Sequence, residues 1–326
     1  MLEVRNLRKN YGTQTAVENV SFSLSAGEKL ILLGTSGSGK TTTLKMINRL
    51  IEPSAGQIWF DNQDARQQKP EHLRQQMGYV IQQTGLFPHF TVAQNIALLP
   101  KMQGWPRSKI NARIDELLTT LGMPPEEFRS RFPDALSGGQ KQRIGIARAL
   151  AIDPPLLLMD EPFGALDPIT RRQIQHDFST IDSLARKTLV MVTHDVGEAF
   201  LMGQKICLMD KGRVQQYGTP KDLLFQPAND FVRDFFKSSR FQLELQVVML
   251  EDLWDFFPSQ AVQAEDDSEN WPVFPATQDV WSVLETLTGA AKPYFLIRKN
   301  GDLFRAASGE ALLPAFQAWK KQFGAI

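Results

Sequence analysis

The chain has 326 residues, and its 36 Lys plus Arg balance 36 Asp plus Glu, so it carries no formal net charge. That balance removes the basic field on which general nucleic-acid binding rests, and the length suits two domains, each with a core of its own. Cys207 is the single cysteine, which excludes an intrachain disulfide and a cysteine-based metal site, and no run of about 18 apolar residues is present to span a bilayer.

The stretch Met1–Gly12 holds no apolar run of signal-peptide length, so any work at a membrane is expected to go through a partner. Leu2–Arg8 and Val17–Leu24 alternate apolar and polar residues around a Tyr11-Gly12 turn, which predicts an antiparallel β element. Tyr11 fits either a half-buried strand-end tyrosine or a ring stacked on an adenine. Lys29–Leu33 is a short aliphatic strand that stops at Gly34, and Gly34-x-x-x-x-Gly39-Lys40-Thr41 fills every fixed position of the phosphate-binding loop. Gly34, Gly37 and Gly39 let the backbone curl into a nest, so that successive N–H groups, those of Thr35, Ser36, Ser38 and Thr42 among them, point at phosphate oxygens. Lys40 reaches the β- and γ-phosphates, and the Thr41 hydroxyl is a ligand for Mg²⁺. The following helix, from about Lys40, is expected to face a core with Leu44, Ile47 and Leu50. The stretch reads as a nucleoside triphosphate site.

Ile51–Gly56 is a turn, Gln57–Phe60 a strand, and Met77–Gln82 a buried strand that ends in Gln82 and Gln83. A glutamine there coordinates Mg²⁺, orients a water, or simply closes a strand in solvent. From Gly85 to Leu136 the spacing turns helical: Thr91–Leu99 and Lys109–Leu121 are expected helices, the second with Ile110, Ile114, Leu117, Leu118 and Leu121 on one face. The next acidic strand end, Asp160, lies farther from Lys40 than a minimal phosphate-loop fold requires, so this region is a helical insertion. Leu136-Ser137-Gly138-Gly139-Gln140 opens another helix, Lys141–Ala151, with Ser137 as N-cap and two glycines freeing N–H groups; it is either a second anion cradle or a capped helix start.

Leu156–Met159 is an aliphatic strand that ends in Asp160-Glu161. Beside a phosphate loop, Asp160 can hold Mg²⁺ through its water shell while Glu161 polarises the attacking water. Phe163-Gly164-Ala165-Leu166-Asp167 leads into a long helix with Ile174, Phe178, Ile181 and Leu184 on one face. Thr188–Thr193 is the next buried strand; His194 at its rim either donates to a γ-phosphate or is structural. Lys205–Met209 and Arg213–Gln216 form a hairpin, a helix begins near Asp222, and Pro227–Lys237 is a short helical tail. The character changes beyond Ser238, which predicts domains 1–237 and 238–326. The second holds an acidic stretch Glu265–Glu269, a helix Val280–Leu287, strands Tyr294–Arg298 and Leu303–Ala306 around a Lys299–Asp302 turn, and a final helix Gly309–Phe323.

Over Met1 to about Lys237 these residues together resemble the ATP-binding subunit of an ABC transporter. GTSGSGKT resembles Walker A, LSGGQ the ABC signature and LLLMDE Walker B; Gln82 falls at the Q-loop, Asp167 of GALD at the D-loop, His194 at the switch histidine and Tyr11 at the adenine-stacking aromatic. The resemblance implies an α/β ABC-type nucleotide-binding domain, with a phosphate-loop core sheet, an antiparallel β subdomain and a helical insertion over 85–136. It implies ATP and Mg²⁺ as ligands, with Thr41, Gln82 and Asp160 at the metal and Glu161, His194 and Gln82 in catalysis. It further implies a head-to-tail homodimer in which Ser137, Gly138, Gly139 and Gln140 of one subunit cap the ATP of the other. Integral membrane permease subunits would be met through the insertion, above all Gly85–Pro100, and an extracytoplasmic solute-binding protein would act indirectly. The expected location is peripheral, on the cytoplasmic face of the inner (plasma) membrane, with no nucleic-acid partner.

TTTLKMINRLIEPSAG, IQQTGLFPHFTVAQNIALLP, DEPFGALDPITR and PANDFV resemble the importers of quaternary-amine osmoprotectants, which carry glycine betaine, choline, carnitine or proline betaine. The carboxy-terminal module resembles a degenerate CBS domain with a regulatory or dimerisation role. Ser308-Gly309-Glu310-Ala311 stands where the CBS pattern has Thr-x-x-Asp, so a regulatory adenine nucleotide is not expected there.

Overall fold

The amino-terminal alternation forms the pair it predicts. In the computed structural model, which describes residues 1–82, 85–164, 166–167, 170–171, 174–175, 187–257, 271–288, 294–299 and 303–323, β1 (Leu2–Tyr11) and β2 (Gln14–Leu24) run antiparallel. Leu2, Val4 and Leu7 of β1 and Val17, Val20, Phe22 and Leu24 of β2 are buried, as one-sided strands require. β3 (Lys29–Gly34) leads through the phosphate-loop sequence into α1 (Lys40–Ile47). β4 (Ala55–Phe60) then pairs with β1 and β5 (Gln63–Asp64) with β4, which gives the order β2-β1-β4-β5. Leu50 does not face the core. α1 ends at Ile47, Arg49 takes a positive φ of 47°, and the turned chain leaves Leu50 47% exposed.

The second sheet carries the chemistry. α2 (Pro70–Gln75) precedes β6 (Met77–Val80), and β7 (Leu156–Asp160), β8 (Thr188–Thr193), β9 (Lys205–Asp210) and β10 (Arg213–Gly218) complete six strands in the order β10-β9-β3-β8-β7-β6. β9, β3, β8, β7 and β6 run parallel. β7 and β8 are buried along their whole length, the mark of a parallel sheet covered on both faces. Their register sets Leu33 beside Thr193 and Asp160 beside Val192. The carboxyl ends of β3, β7 and β8 therefore share one edge, the place where such sheets bind ligands.

Between β6 and β7 the insertion expected over 85–136 is helical, with α3 (Val92–Met102), α4 (Arg107–Thr120) and α5 (Pro125–Phe128), and α6 (Gly138–Leu150) follows it. All five residues of the predicted apolar face are buried, Ile110, Ile114, Leu117 and Leu118 on α4 and Leu121 at its C-cap. α7 (Val196–Met202) follows β8 with Asp195 as its N-cap.

The chain forms two compact units, Met1–Tyr217 and Gly218–Ile326, so packing divides it earlier than the expected 237/238 boundary. Composition changes at 238, yet α8 (Pro220–Phe225) and α9 (Asp230–Phe235) belong to the carboxy-terminal unit. Arg240 of α10 (Arg240–Val247) donates to the Leu224 carbonyl at 2.5 Å, Lys221 pairs with Asp252 at 2.7 Å, and the Phe225 ring meets Trp319 edge-on at 5.0 Å. The rest of this unit is β11 (Val273–Pro275), α11 (Val280–Thr288), β12 (Tyr294–Lys299), β13 (Leu303–Ser308) and α12 (Gly309–Lys320), with β11 parallel and β13 antiparallel to β12. Glu244, 1% exposed, is held by Arg240 at 2.8 Å and by Lys320 of α12 at 2.5 Å. Gln83, Ala165, Phe178, Ile181, Leu184, the Glu265–Glu269 stretch and Asn300–Asp302 lie outside the described residues. Among those described, no helix is long and apolar enough to cross a membrane.

Candidate functional site

The loop between β3 and α1 is built on its glycines. Gly34, Gly37 and Gly39 have φ of 153°, 76° and 95°, and a Cβ on Gly39 would lie 2.6 Å from the Ala16 carbonyl oxygen. A side chain is excluded there by both conformation and space. The first helical bond of α1 runs from the Thr43 N–H to the Gly39 carbonyl at 2.9 Å. The N–H groups of Lys40, Thr41 and Thr42 precede it and have no acceptor within the helix. Thr35, Ser36 and Gly37 stand exposed at the mouth, where the Thr35 hydroxyl donates to Asp210 at 3.0 Å, while Ser38 is buried.

Lys40 is 5% exposed and folds back over the loop. Its ammonium donates to the Gly34 carbonyl at 2.9 Å, the Thr35 carbonyl at 2.7 Å and the Ser38 hydroxyl at 3.3 Å. Burial lowers its pKa, and the charges of Glu161 and Asp160 oppose that shift. Every one of these acceptors is neutral. An ammonium whose hydrogen-bond acceptors among the described residues are all neutral oxygens, beside a row of N–H groups without helical acceptors, suits a polyanionic ligand.

Two further groups lie on the same edge. Thr41 donates to Asp160 at 2.8 Å, and burial holds the Asp160 carboxyl above the usual carboxylate range while that bond pulls it back. Tyr79, beneath, has its phenol pushed up by burial and by the Asp160 charge. Glu161 begins the turn after β7 with a φ of 44° and its N–H on the Val192 carbonyl at 3.0 Å. A non-glycine residue in that region is strained and belongs to the kind of position found at functional sites. One Glu161 carboxylate oxygen accepts from Gln82 at 3.0 Å, and the other is 3.3 Å from Nδ1 of His194. Gln82, Glu161 and His194, widely separated in sequence, thus converge; Gln82 touches Glu161, while Thr41 and Asp160 form the oxygen pair suited to a hard cation.

Ser137 caps α6 reciprocally: its hydroxyl accepts the Gln140 N–H at 3.3 Å, and the Gln140 side chain accepts the Ser137 N–H at 2.9 Å. Gly138 and Gly139 have no positive φ, and at Gly139 the missing side chain serves packing. A Cβ on Gly139 would lie 2.6 Å from Cγ2 of Thr170 and 3.2 Å from Cδ1 of Ile174. Asp167 caps the helix turn behind them, accepting the Thr170 N–H at 3.0 Å. Tyr11 stands apart at the end of β1, 51% exposed, with the Lys9 ammonium 5.2 Å from its ring centre.

Known proteins share this architecture. The family model described as ABC transporter matches residues 17–164. The glycine betaine uptake system ATP-binding protein YehX of Escherichia coli (strain K12) is 49% identical over 256 residues, 78% of this chain and 82% of that one. The chain belongs to the ABC transporter family. Within it, the choline transport ATP-binding protein OpuBA of Bacillus subtilis (strain 168) is 51% identical over 241 residues, and the match spans 74% of this ABC protein but only 63% of OpuBA. A solved dimeric ATP-binding cassette in a post-hydrolysis state, bound to ADP and Pi, is 33% identical with a TM-score of 0.61, covering 67% of this chain and 98% of that one.

Sequence inspection of this ABC protein passes over a residue that shapes the segment after Gln82. Asn95, fully buried on α3, accepts the Phe87 N–H at 2.8 Å and donates to the carbonyls of Phe90 at 3.0 Å and Thr91 at 3.1 Å. Arg148 of α6 donates to the Gly85 carbonyl at 2.7 Å, and burial lowers its pKa. Residues 85–91 are therefore pinned to the helical layer, while Phe87 and Phe90 stay 45% and 37% exposed. The available signal is an asparagine on the buried face of an otherwise apolar helix.

Proposed function

We propose that this protein is the ATP-hydrolysing subunit of an importer that takes up a small quaternary-amine osmoprotectant through a separate membrane permease. The observation that carries the reading is Glu161, held between Gln82 and His194 on the sheet edge that also bears the buried Lys40 ammonium. The triphosphate is gripped by the loop N–H groups from Gly37 to Thr42 and by Lys40, whose neutral contacts give way to phosphate oxygens. Thr41, Asp160 and Gln82 would hold Mg²⁺, which neutralises charge on the β- and γ-phosphates. Glu161 takes the proton of the attacking water as its oxygen bonds to the γ-phosphorus and the bond to the β-phosphate oxygen breaks. His194 orients Glu161 and donates to the γ-phosphate. Tyr11 stacks on the adenine, and Ser137, Gly138, Gly139 and Gln140 of a twin subunit close the site from the other side. Asp167 lies at that shared interface.

Several features support the transport role. Phe87 and Phe90 leave an aromatic surface on the pinned segment 85–91, and α3 and α4 of the same insertion line a groove of about 500 Å³ with Ala97, Lys101, Trp105, Ile110 and Ile114. That face suits cytoplasmic helices of a permease, which would place the protein peripherally on the cytoplasmic face of the inner membrane. The substrate class follows from YehX and OpuBA, which are named for glycine betaine and choline. Residues 238–326 are a degenerate CBS-like module for regulation or dimerisation; the Ser308 hydroxyl accepts the Ala311 N–H at 3.3 Å, capping α12. The test is reconstitution with the neighbouring permease and binding protein in liposomes, with radiolabelled glycine betaine and choline. ATP-driven uptake is expected. Hydrolysis without uptake of any quaternary amine would refute the substrate class, and absence of hydrolysis would refute the whole reading.

A further inference from the structure

Glu198 is a buried carboxylate for which the proposed hydrolysis has no direct use. It lies on α7, 4% exposed, and accepts the Thr193 hydroxyl at 2.5 Å and the Gln175 side-chain amide at 2.9 Å, with Nε of Arg171 at 4.0 Å. Burial raises its pKa, with the Thr193 hydrogen bond and the Arg171 charge opposing, so its place costs free energy that an aliphatic residue would avoid. Helix formation does not need it, because Asp195 already caps α7 by accepting the Glu198 N–H at 3.1 Å.

The carboxylate holds one neighbour of His194 directly, through the Thr193 hydroxyl, and reaches the other, Asp195, through Arg171. The His194 side chain is 60% exposed and its Nδ1 lies 3.3 Å from a Glu161 carboxylate oxygen, so the backbone at the strand end sets where it stands. Thr193, on one side, donates its hydroxyl to Glu198 and accepts the Asp195 N–H at 3.0 Å. Asp195, on the other side, accepts the Glu198 N–H and meets Nη1 of Arg171 at 3.4 Å. Arg171 is anchored in turn, donating to the Leu166 carbonyl at 3.1 Å.

We propose that Glu198 is a positioning residue that holds the Thr193-His194-Asp195 rim, and thereby His194, against Glu161. This rests on the reading of the site as an ATPase, and the two fail differently. In the purified full-length chain, Glu198→Gln and Thr193→Val lower kcat about tenfold or more while KM for ATP moves less than about threefold, because neither variant touches the phosphate loop. Thr193→Ser, which restores the hydroxyl, recovers the wild-type rate. In a His194→Ala background, Glu198→Gln costs no further rate, since a residue that acts through His194 has nothing left to place. If Glu198→Gln fails to fold, Thr193→Val with its serine rescue decides alone. Unchanged kcat in these variants, failure of the serine to rescue, or an equal loss with and without His194 overturns the proposal. A wild-type chain that hydrolyses no more ATP than Lys40→Ala overturns the ATPase reading instead.

Discussion

Glu161→Gln isolates the chemical step from binding. The substitution keeps the side chain's shape and one acceptor oxygen for the Gln82 amide, now at 3.0 Å, and leaves intact the Glu161 N–H bond to Val192. It removes the charge and the basicity. Loss of a general base costs about 10² to 10⁴ in rate, which is about 2.7 to 5.4 kcal/mol of transition-state stabilisation. Ground-state binding has no reason to weaken: Lys40 keeps its three contacts, and removing the carboxylate takes negative charge away from where a γ-phosphate sits. Single-turnover hydrolysis with excess enzyme reads the chemical step, and a fluorescent ATP analogue reads affinity. The expected result is turnover down by at least about a hundredfold with affinity unchanged or tighter. A variant within about threefold of wild-type turnover, or one that loses affinity as much as rate, refutes the assignment of Glu161 as base.

Lys40→Ala removes a buried ammonium and weakens ATP binding itself, by about tenfold or more, in equilibrium titration. Gly139→Ala places a methyl 2.6 Å from Thr170; with overpacking costs of about 1–3 kcal/mol, a lower Tm in thermal melts is expected. Phe87→Ala lowers coupled transport in liposomes while ATP hydrolysis by the isolated subunit stays within about twofold, because the ring is exposed. Burial pushes the Cys207 thiol up to about 12. At pH 8 only about 10⁻⁴ of it is thiolate, so a thiol reagent labels the native chain far more slowly than the denatured one; rapid native labelling contradicts the fully buried position.

The parts of the site that are legible in the sequence are those fixed by local geometry. A phosphate loop needs glycines and a lysine at set intervals, because nest, helix start and ammonium form within a few residues of each other; Gly34 to Thr42 shows this. The capping pair Ser137 and Gln140 and the apolar stripe from Ile110 to Leu121 are legible for the same reason. Periodicity overstates the reach of α1 at Leu50, where the 3.6-residue period continues in sequence after the helix has ended at Ile47. Gly139 reads in the sequence as a glycine that frees an N–H group at a helix start; its close packing is not legible there, because nothing local announces Thr170 and Ile174 set against it. Composition shifts at 238, while the compact units of the chain meet at 217/218.

By itself, the order of residues determined that this chain has a triphosphate loop, a helical insertion and acidic and histidine-bearing strand ends, since each is set by neighbours in the chain. Only the tertiary structure decided that Glu161 meets both Gln82 and His194, and that Glu198 and Arg171 bond Thr193 and Asp195 on either side of the histidine. Those contacts depend on the parallel register of β3, β8 and β7, which sums burial over whole strands and is written at no single position.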